Sequence, residues 1–218
     1  MTLSVLKNDT WIFHGDSITD YNRLGDADGW GWGYVRMIAK WLQGRGGEFP
    51  KILNRAVSGN TIRNLAQGWE EDVIANKPQV LSVKIGVNDV WSGLVPGREG
   101  SQVPADEFRA IYDRLLARTR EKLPDCKIVL CEPCGIWAPA PAAGNERLRP
   151  YWEIIGELAA KHEVFALVKL HEEFVKAKER NPEIDFTADG VHPTPAGDMV
   201  IAAAWMWAVG LLNKRAVM

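Results

Sequence analysis

Five short runs of near-continuous apolar residues punctuate the chain, and between them apolar residues return at helical spacing. The runs are 9–14 (DTWIFH), 51–57 (KILNRAV), 79–86 (QVLSVKIG), 127–132 (KIVLCE) and 164–168 (VFALV). Each has the length and character of a buried strand. Segments 30–44, 61–76, 104–122, 146–161 and 195–213 read as helices, with a further short helix over 169–180. Strands buried on both faces and alternating with helices predict a parallel sheet covered by helices on either side. Ligands of such sheets bind outside the carboxyl ends of the strands, so a real site should draw its residues from those ends. Three longer loops interrupt the pattern, at 19–30, 91–104 and 134–146, and long loops in compact domains are often functional. Without a repeat or a low-complexity linker, the 218 residues are expected to form one domain, 1–218.

Composition narrows this picture. Hydrophobic residues make up 46% and charged ones 25%, the balance of a folded soluble protein with a sizeable core. A net charge of −2 and the lack of a basic run argue against nucleic acid as a partner. The start, MTLSVLKNDT, lacks the cationic and apolar pattern of a secretory signal. Met199 to Leu212, the longest apolar stretch, is too short to span a bilayer and reads as a buried closing helix, so no membrane partner is expected. Three cysteines, an odd number, do not suggest a disulfide framework and fit a reducing cytoplasm, the expected location.

Four short signals carry candidate chemistry. Ser17 follows FHGD: Gly15 allows a sharp turn after the first strand, Asp16 can brace it, and Ser17 is then either a turn residue or an exposed nucleophile. Gly59, in VSGNT after the second strand, fits a helix-starting turn, and equally an unobstructed N–H open to a substrate. Asn88, in IGVND after the third strand, is either a cap or an amide donor at the same edge. In DGVHPTPAG, Asp189 and His192 stand three apart, so the carboxylate can fix one imidazole nitrogen and leave the other as a base. Pro193 and Pro195 stiffen that segment. Taken singly each signal is weak. Together they supply nucleophile, base, orienting carboxylate and oxyanion donors, the parts that acyl transfer requires.

In this order, Gly15-Asp16-Ser17, Gly59, Asn88 and Asp189-x-x-His192 resemble the four sequence blocks of the SGNH, or GDSL, hydrolases. The resemblance implies a three-layer α/β/α sandwich around a five-stranded parallel sheet, flavodoxin-like in outline. It also implies Ser17 as nucleophile, His192 as base and Asp189 as its orienter. The oxyanion hole would be formed by the N–H groups of Ser17 and Gly59 and the amide of Asn88. The stretches SGNTIRNLAQGWEEDVIANKP, GVNDVW and VHPTPAG are most similar to bacterial carbohydrate esterases of the acetylxylan esterase type. That similarity implies a small ester substrate, an acetylated sugar above all. The alternatives are a lysophospholipase, thioesterase or general short-chain esterase, and a sugar-binding module without catalysis. His14 departs from the family, which more often has a non-titrating residue there; it either faces the site and perturbs Ser17 or His192, or has a rim or packing role.

No cofactor or metal is expected. Cys131 and Cys134 lack a second ligand pair, and His162-Glu163 and His171-Glu172 lack the second His of a zinc-protease helix. Gly29-x-Gly31-x-Gly33 does not follow a strand as a dinucleotide fingerprint must. Trp69 to Asp72 (WEED) reads as a solvated helix face. Of the ten tryptophans, Trp30, Trp32, Trp91 and Trp137 fall where a sugar-binding rim is expected. The customary alternatives for Trp are the core and a subunit interface, so a homo-oligomer is a further partner expectation.

Overall fold

Every residue of strand Trp11–Gly15 and of Val80–Lys84 is buried, which is why apolar run length alone located them. The computed structural model describes residues 2–94, 100, 102–137 and 143–213; the remainder of the 91–104 and 134–146 loops lies outside them. The strands are β1 (Thr10–Gly15), β2 (Lys51–Asn54), β3 (Val80–Lys84), β4 (Lys127–Cys131) and β5 (Ala166–Val168). All four pairings are parallel, in the order β2-β1-β3-β4-β5. The helices are α1 (Ser17–Asp20), α2 (Tyr34–Gly44), α3 (Ile62–Trp69), α4 (Val87–Trp91), α5 (Ala105–Lys122), α6 (Ala143–Lys161), α7 (Leu170–Arg180) and α8 (Pro195–Ala208). α2, α7 and α8 pack together on one face of the sheet, and α3, α5 and α6 on the other. This is the expected three-layer α/β/α architecture.

Alternation along β1 sends neighbouring side chains to opposite layers. Trp11 and Phe13 meet Trp205 of α8, with ring centroids 5.9 and 5.4 Å apart. The Trp205 indole N–H also donates to Ser82 Oγ at 3.0 Å, so this large ring docks without stranding its polar atom. Each such fully buried side chain contributes roughly 1.5–3 kcal/mol of apolar transfer free energy. His14 points the other way and stacks on Trp69 at 5.9 Å.

Several predicted boundaries move. The helix expected from residue 30 starts at Tyr34, because the Asp26 carboxylate gathers the N–H groups of Asp28, Trp30 and Gly31 and holds that stretch as a loop. β2 stops at Asn54 rather than continuing to 57. The Asn54 amide donates to the carbonyls of Thr19 and Trp30 and accepts from Ala56 N–H, tying the chain into a turn. α8 ends at Ala208, where the carbonyls of Trp205, Met206 and Trp207 accept N–H groups of the chain turning beyond it. Trp69 is buried, so the 69–72 stretch is solvated only in part: Glu70 and Glu71 are exposed while Trp69 belongs to the core. Among the described residues no helix is long and apolar enough to cross a membrane.

Candidate active site

The order of strands places the ends of β1 and β3 side by side, at the point where the connections diverge to either side of the sheet. Gly15 closes β1 so near its neighbour that a Cβ there would lie 2.1 Å from the Lys84 carbonyl oxygen; only glycine fits. Asp16 then caps α1, its Oδ1 accepting from Ile18 N–H at 3.1 Å, while its carbonyl accepts from Thr19 and Asp20. Ser17 is the first residue of that short helix and is partly exposed.

Ser17 Oγ lies 2.9 Å from His192 Nε2, and His192 Nδ1 lies 2.7 Å from Asp189 Oδ2. The other oxygen of Asp189 accepts the N–H groups of Val191 and His192, at 2.9 and 2.7 Å. Burial pushes the Asp189 pKa up, but these N–H groups and the imidazole outweigh it and hold the carboxyl below its ordinary range. Donation of Nδ1–H to Asp189 leaves the Nε2 lone pair facing the Ser17 hydroxyl, the tautomer a general base needs. An antiparallel bridge between Thr187 and Pro193 and the bond from Ala188 N–H to the His192 carbonyl (2.8 Å) brace the loop.

Opposite this line, the turn after β2 is stitched to the segments that flank it. Asp20 of α1 accepts from both the N–H and the hydroxyl of Ser58, at 3.0 and 2.6 Å. Asn88 Nδ2 donates one proton to the Asn60 carbonyl at 3.0 Å and, among the described residues, retains a second. Buried Asp89 accepts from Ile62 N–H at 3.0 Å, fixing the start of α3 against α4. Between these anchors Gly59 is exposed with φ +86°, and a side chain there would meet only open space. Its glycine is a requirement of backbone conformation. Among the described residues neither Ser17 N–H nor Gly59 N–H has an acceptor. Preformed donors at a water-accessible edge beside a serine hydroxyl can stabilise charge on a carbonyl oxygen.

The proposed rim tryptophans divide. Trp32 is 54% exposed, with the Arg36 guanidinium 4.5 Å above its ring. Its backbone N–H donates to the carbonyl of Tyr21, whose own N–H donates to the Ser17 carbonyl, so it stands close to the Ser17 turn. Trp137 is half-buried, stacked on His171, and its N–H donates to the Gly190 carbonyl next to Asp189. Trp91 ends α4 half-buried. Trp30 is only 7% exposed and packs against Phe49, so it is a core residue and offers no face to a ligand.

His14 is a packing residue. Its Nδ1 accepts from Gly15 N–H, and burial, helped by Arg23 and Arg55, lowers its pKa to about 4. It is therefore neutral near pH 7 and faces Asp72 on the far side of the sheet from α8. Cys131 and Cys134 are buried, and burial pushes their thiols to about 12 and about 11. Among the described residues no group of three or more His, Cys, Asp or Glu is placed to hold a metal ion.

With this geometry in hand, comparison with known proteins is direct. The GDSL-like lipase/acylhydrolase family matches residues 13–200. The chain belongs to that family. It is accordingly a carboxylic ester hydrolase, and its relatives support action on acyl esters of the carbohydrate type. An acetylxylan esterase of Geobacillus stearothermophilus is 31% identical over 91% of this chain and 93% of its own. A solved structure of a GDSL-like lipase from Parabacteroides merdae superposes with a TM-score of 0.87 at 33% identity, covering 97% of this chain and all (100%) of the other. Axe2, an acetylxylan esterase from Geobacillus stearothermophilus, superposes with a TM-score of 0.85 at 29% identity over 95% of this chain and 97% of its own. Catalytic mutants of Axe2 have been solved with a Ser, an Asp or a His replaced, the last two standing three positions apart.

Asp20 and Asp89 were not legible as site residues in the sequence of this GDSL-like hydrolase. Their one available signal was position: Asp20 lies three residues beyond Ser17, and Asp89 directly follows Asn88.

Proposed function

We propose that this hydrolase is a serine esterase that removes acetyl groups from carbohydrates, such as acetylated xylo-oligosaccharides, through an acyl-enzyme. The observation that carries the reading is the unbroken line Ser17–His192–Asp189 at the carboxyl edge of the sheet. His192 takes the Ser17 proton as Oγ attacks the ester carbonyl. Negative charge gathers on the carbonyl oxygen, where the N–H groups of Ser17 and Gly59 and the free proton of Asn88 receive it. Collapse breaks the bond to the sugar oxygen, which leaves with the proton from His192. Water, deprotonated by His192, then attacks the acetyl-serine; the acyl–oxygen bond breaks, Ser17 Oγ takes the proton back from His192, and acetate departs. The acetyl and sugar specificity follows the acetylxylan esterases that this chain resembles, and the spacing of Asp and His replaced in Axe2 matches Asp189 and His192.

Acetate release from acetylated xylo-oligosaccharides, compared between wild type and Ser17→Ala, tests this directly. A p-nitrophenyl ester series from acetate to decanoate is expected to peak at acetate and fall with chain length. A preference for long chains would overturn the carbohydrate reading in favour of a lysophospholipase or thioesterase. Asn88→Ala is expected to lower kcat about 100- to 1,000-fold with a smaller change in KM, since its free proton acts mainly on the developing oxyanion. Steady-state kinetics on p-nitrophenyl acetate reads this, and an unchanged kcat would remove Asn88 from the oxyanion hole.

A further inference from the structure

Lys84 ends β3 and is wholly buried, with no exposed side-chain surface (0%). An ammonium taken out of water is costly unless paired. Its close partner is Asp16 Oδ1 at 3.5 Å, and the Asp16 side chain is equally buried. Among the described residues neither Lys84 Nζ nor Asp16 Oδ2 makes a hydrogen bond, so charge rather than a directed bond holds the pair. Burial alone would lower the Lys84 pKa, but Asp16 raises it, and the lysine stays cationic. The neighbouring thiols of Cys131 and Cys134 are neutral and do not compete for it.

Stability is a poor account of such a group, because well-packed apolar residues often replace a buried ion pair without loss. Location is a better one. Asp16 immediately precedes Ser17 and caps the helix that presents it. We propose that Lys84 is a positioning residue for the nucleophile: it fixes the Asp16 carboxylate behind the Ser17 turn. Its charge also offsets that of Asp16, which otherwise stands next to the N–H where oxyanion charge collects.

The proposal rests on Ser17 being the nucleophile, which loss of fluorophosphonate labelling in Ser17→Ala tests separately. Lys84→Met, Asp16→Asn and the double variant Lys84→Met/Asp16→Asn are compared with wild type by near-ultraviolet circular dichroism, thermal melting and kinetics on p-nitrophenyl acetate. Lys84→Met strands a buried carboxylate and is expected to melt lowest. The double variant removes both charges and should recover melting temperature but not rate. Its kcat is expected about a hundredfold below wild type with KM within about twofold, the scale of a nucleophile displaced by about 1 Å. The plateau of the pH–rate profile should fall while its acid limb stays in place. A folded double variant with wild-type kcat would overturn the proposal. Should neither Lys84 variant fold, Asp16→Asn decides on the same criterion, because its amide retains the cap to Ile18. Failure of all three to fold would make the pair a requirement of the fold and overturn the positioning role.

Discussion

Ser17→Ala is expected to lose about 10⁶ of kcat while keeping the fold. Removing the nucleophile of a serine hydrolase has a cost of about that size, because base and orienter then have nothing to activate. Here the loss should be close to complete, since Ser17 Oγ is the group that His192 Nε2 meets at 2.9 Å. Stability should change little. The side chain is partly exposed, and the cap that builds α1 comes from Asp16, not from Ser17. Circular dichroism should therefore match wild type while acetate release and fluorophosphonate labelling vanish. Turnover within about tenfold of wild type in the purified variant would end the proposal that Ser17 is the nucleophile.

The arrangement explains why this fold suits the chemistry. In the order β2-β1-β3-β4-β5 the ends of β1 and β3 are adjacent and that of β2 flanks them. The proposed nucleophile after β1, backbone donor after β2 and amide after β3 then stand on neighbouring turns without any long excursion of the chain. The proposed base arrives from the far end of the sequence, on a loop held by its own bridge and continued into α8, whose Trp205 anchors on β1 and β3. Bonds from Asp20 to Ser58 and from Asn88 to Asn60 turn the three neighbouring loops into one unit. Preorganisation of this kind spares the enzyme reorganisation when charge develops.

What the sequence revealed and what it hid follow one physical line. Strands β1, β3 and β4 were legible because burial on both faces makes them continuously apolar, a signal that needs no knowledge of partners. Asp189 and His192 were legible because their partners are each other, three residues apart. Asn54 was not, since the carbonyls that shorten β2 belong to Thr19 and Trp30, remote in sequence. Lys84 was hidden for the same reason: in VLSVKIG it looks like an interruption, and only the pairing of β3 with β1 reveals Asp16 as its counter-ion. Trp30 and Trp32 are two residues apart and of one type, yet one is buried and the other exposed, a difference set by the Asp26-centred loop and not by local pattern.

Asp189→Asn should lower kcat by about 10⁴ with the protein folded. The reason is tautomeric. Asp189 Oδ2 now accepts Nδ1–H of His192 at 2.7 Å and so leaves Nε2 unprotonated toward Ser17. An asparagine amide turned to face Nδ1 donates instead, which favours the proton on Nε2 and removes the lone pair that must receive the Ser17 proton. The remaining oxygen can still accept the N–H groups of Val191 and His192, so the loop should persist. Both carboxylate oxygens are thus separable by one substitution: one holds the loop, the other sets the base. Kinetics on p-nitrophenyl acetate should show the fall in kcat with KM little changed, and melting temperature should stay within a few degrees of wild type. A loss below about tenfold in the folded variant would show that His192 keeps its productive tautomer without Asp189, and the carboxylate would then be reduced to a brace for its own loop.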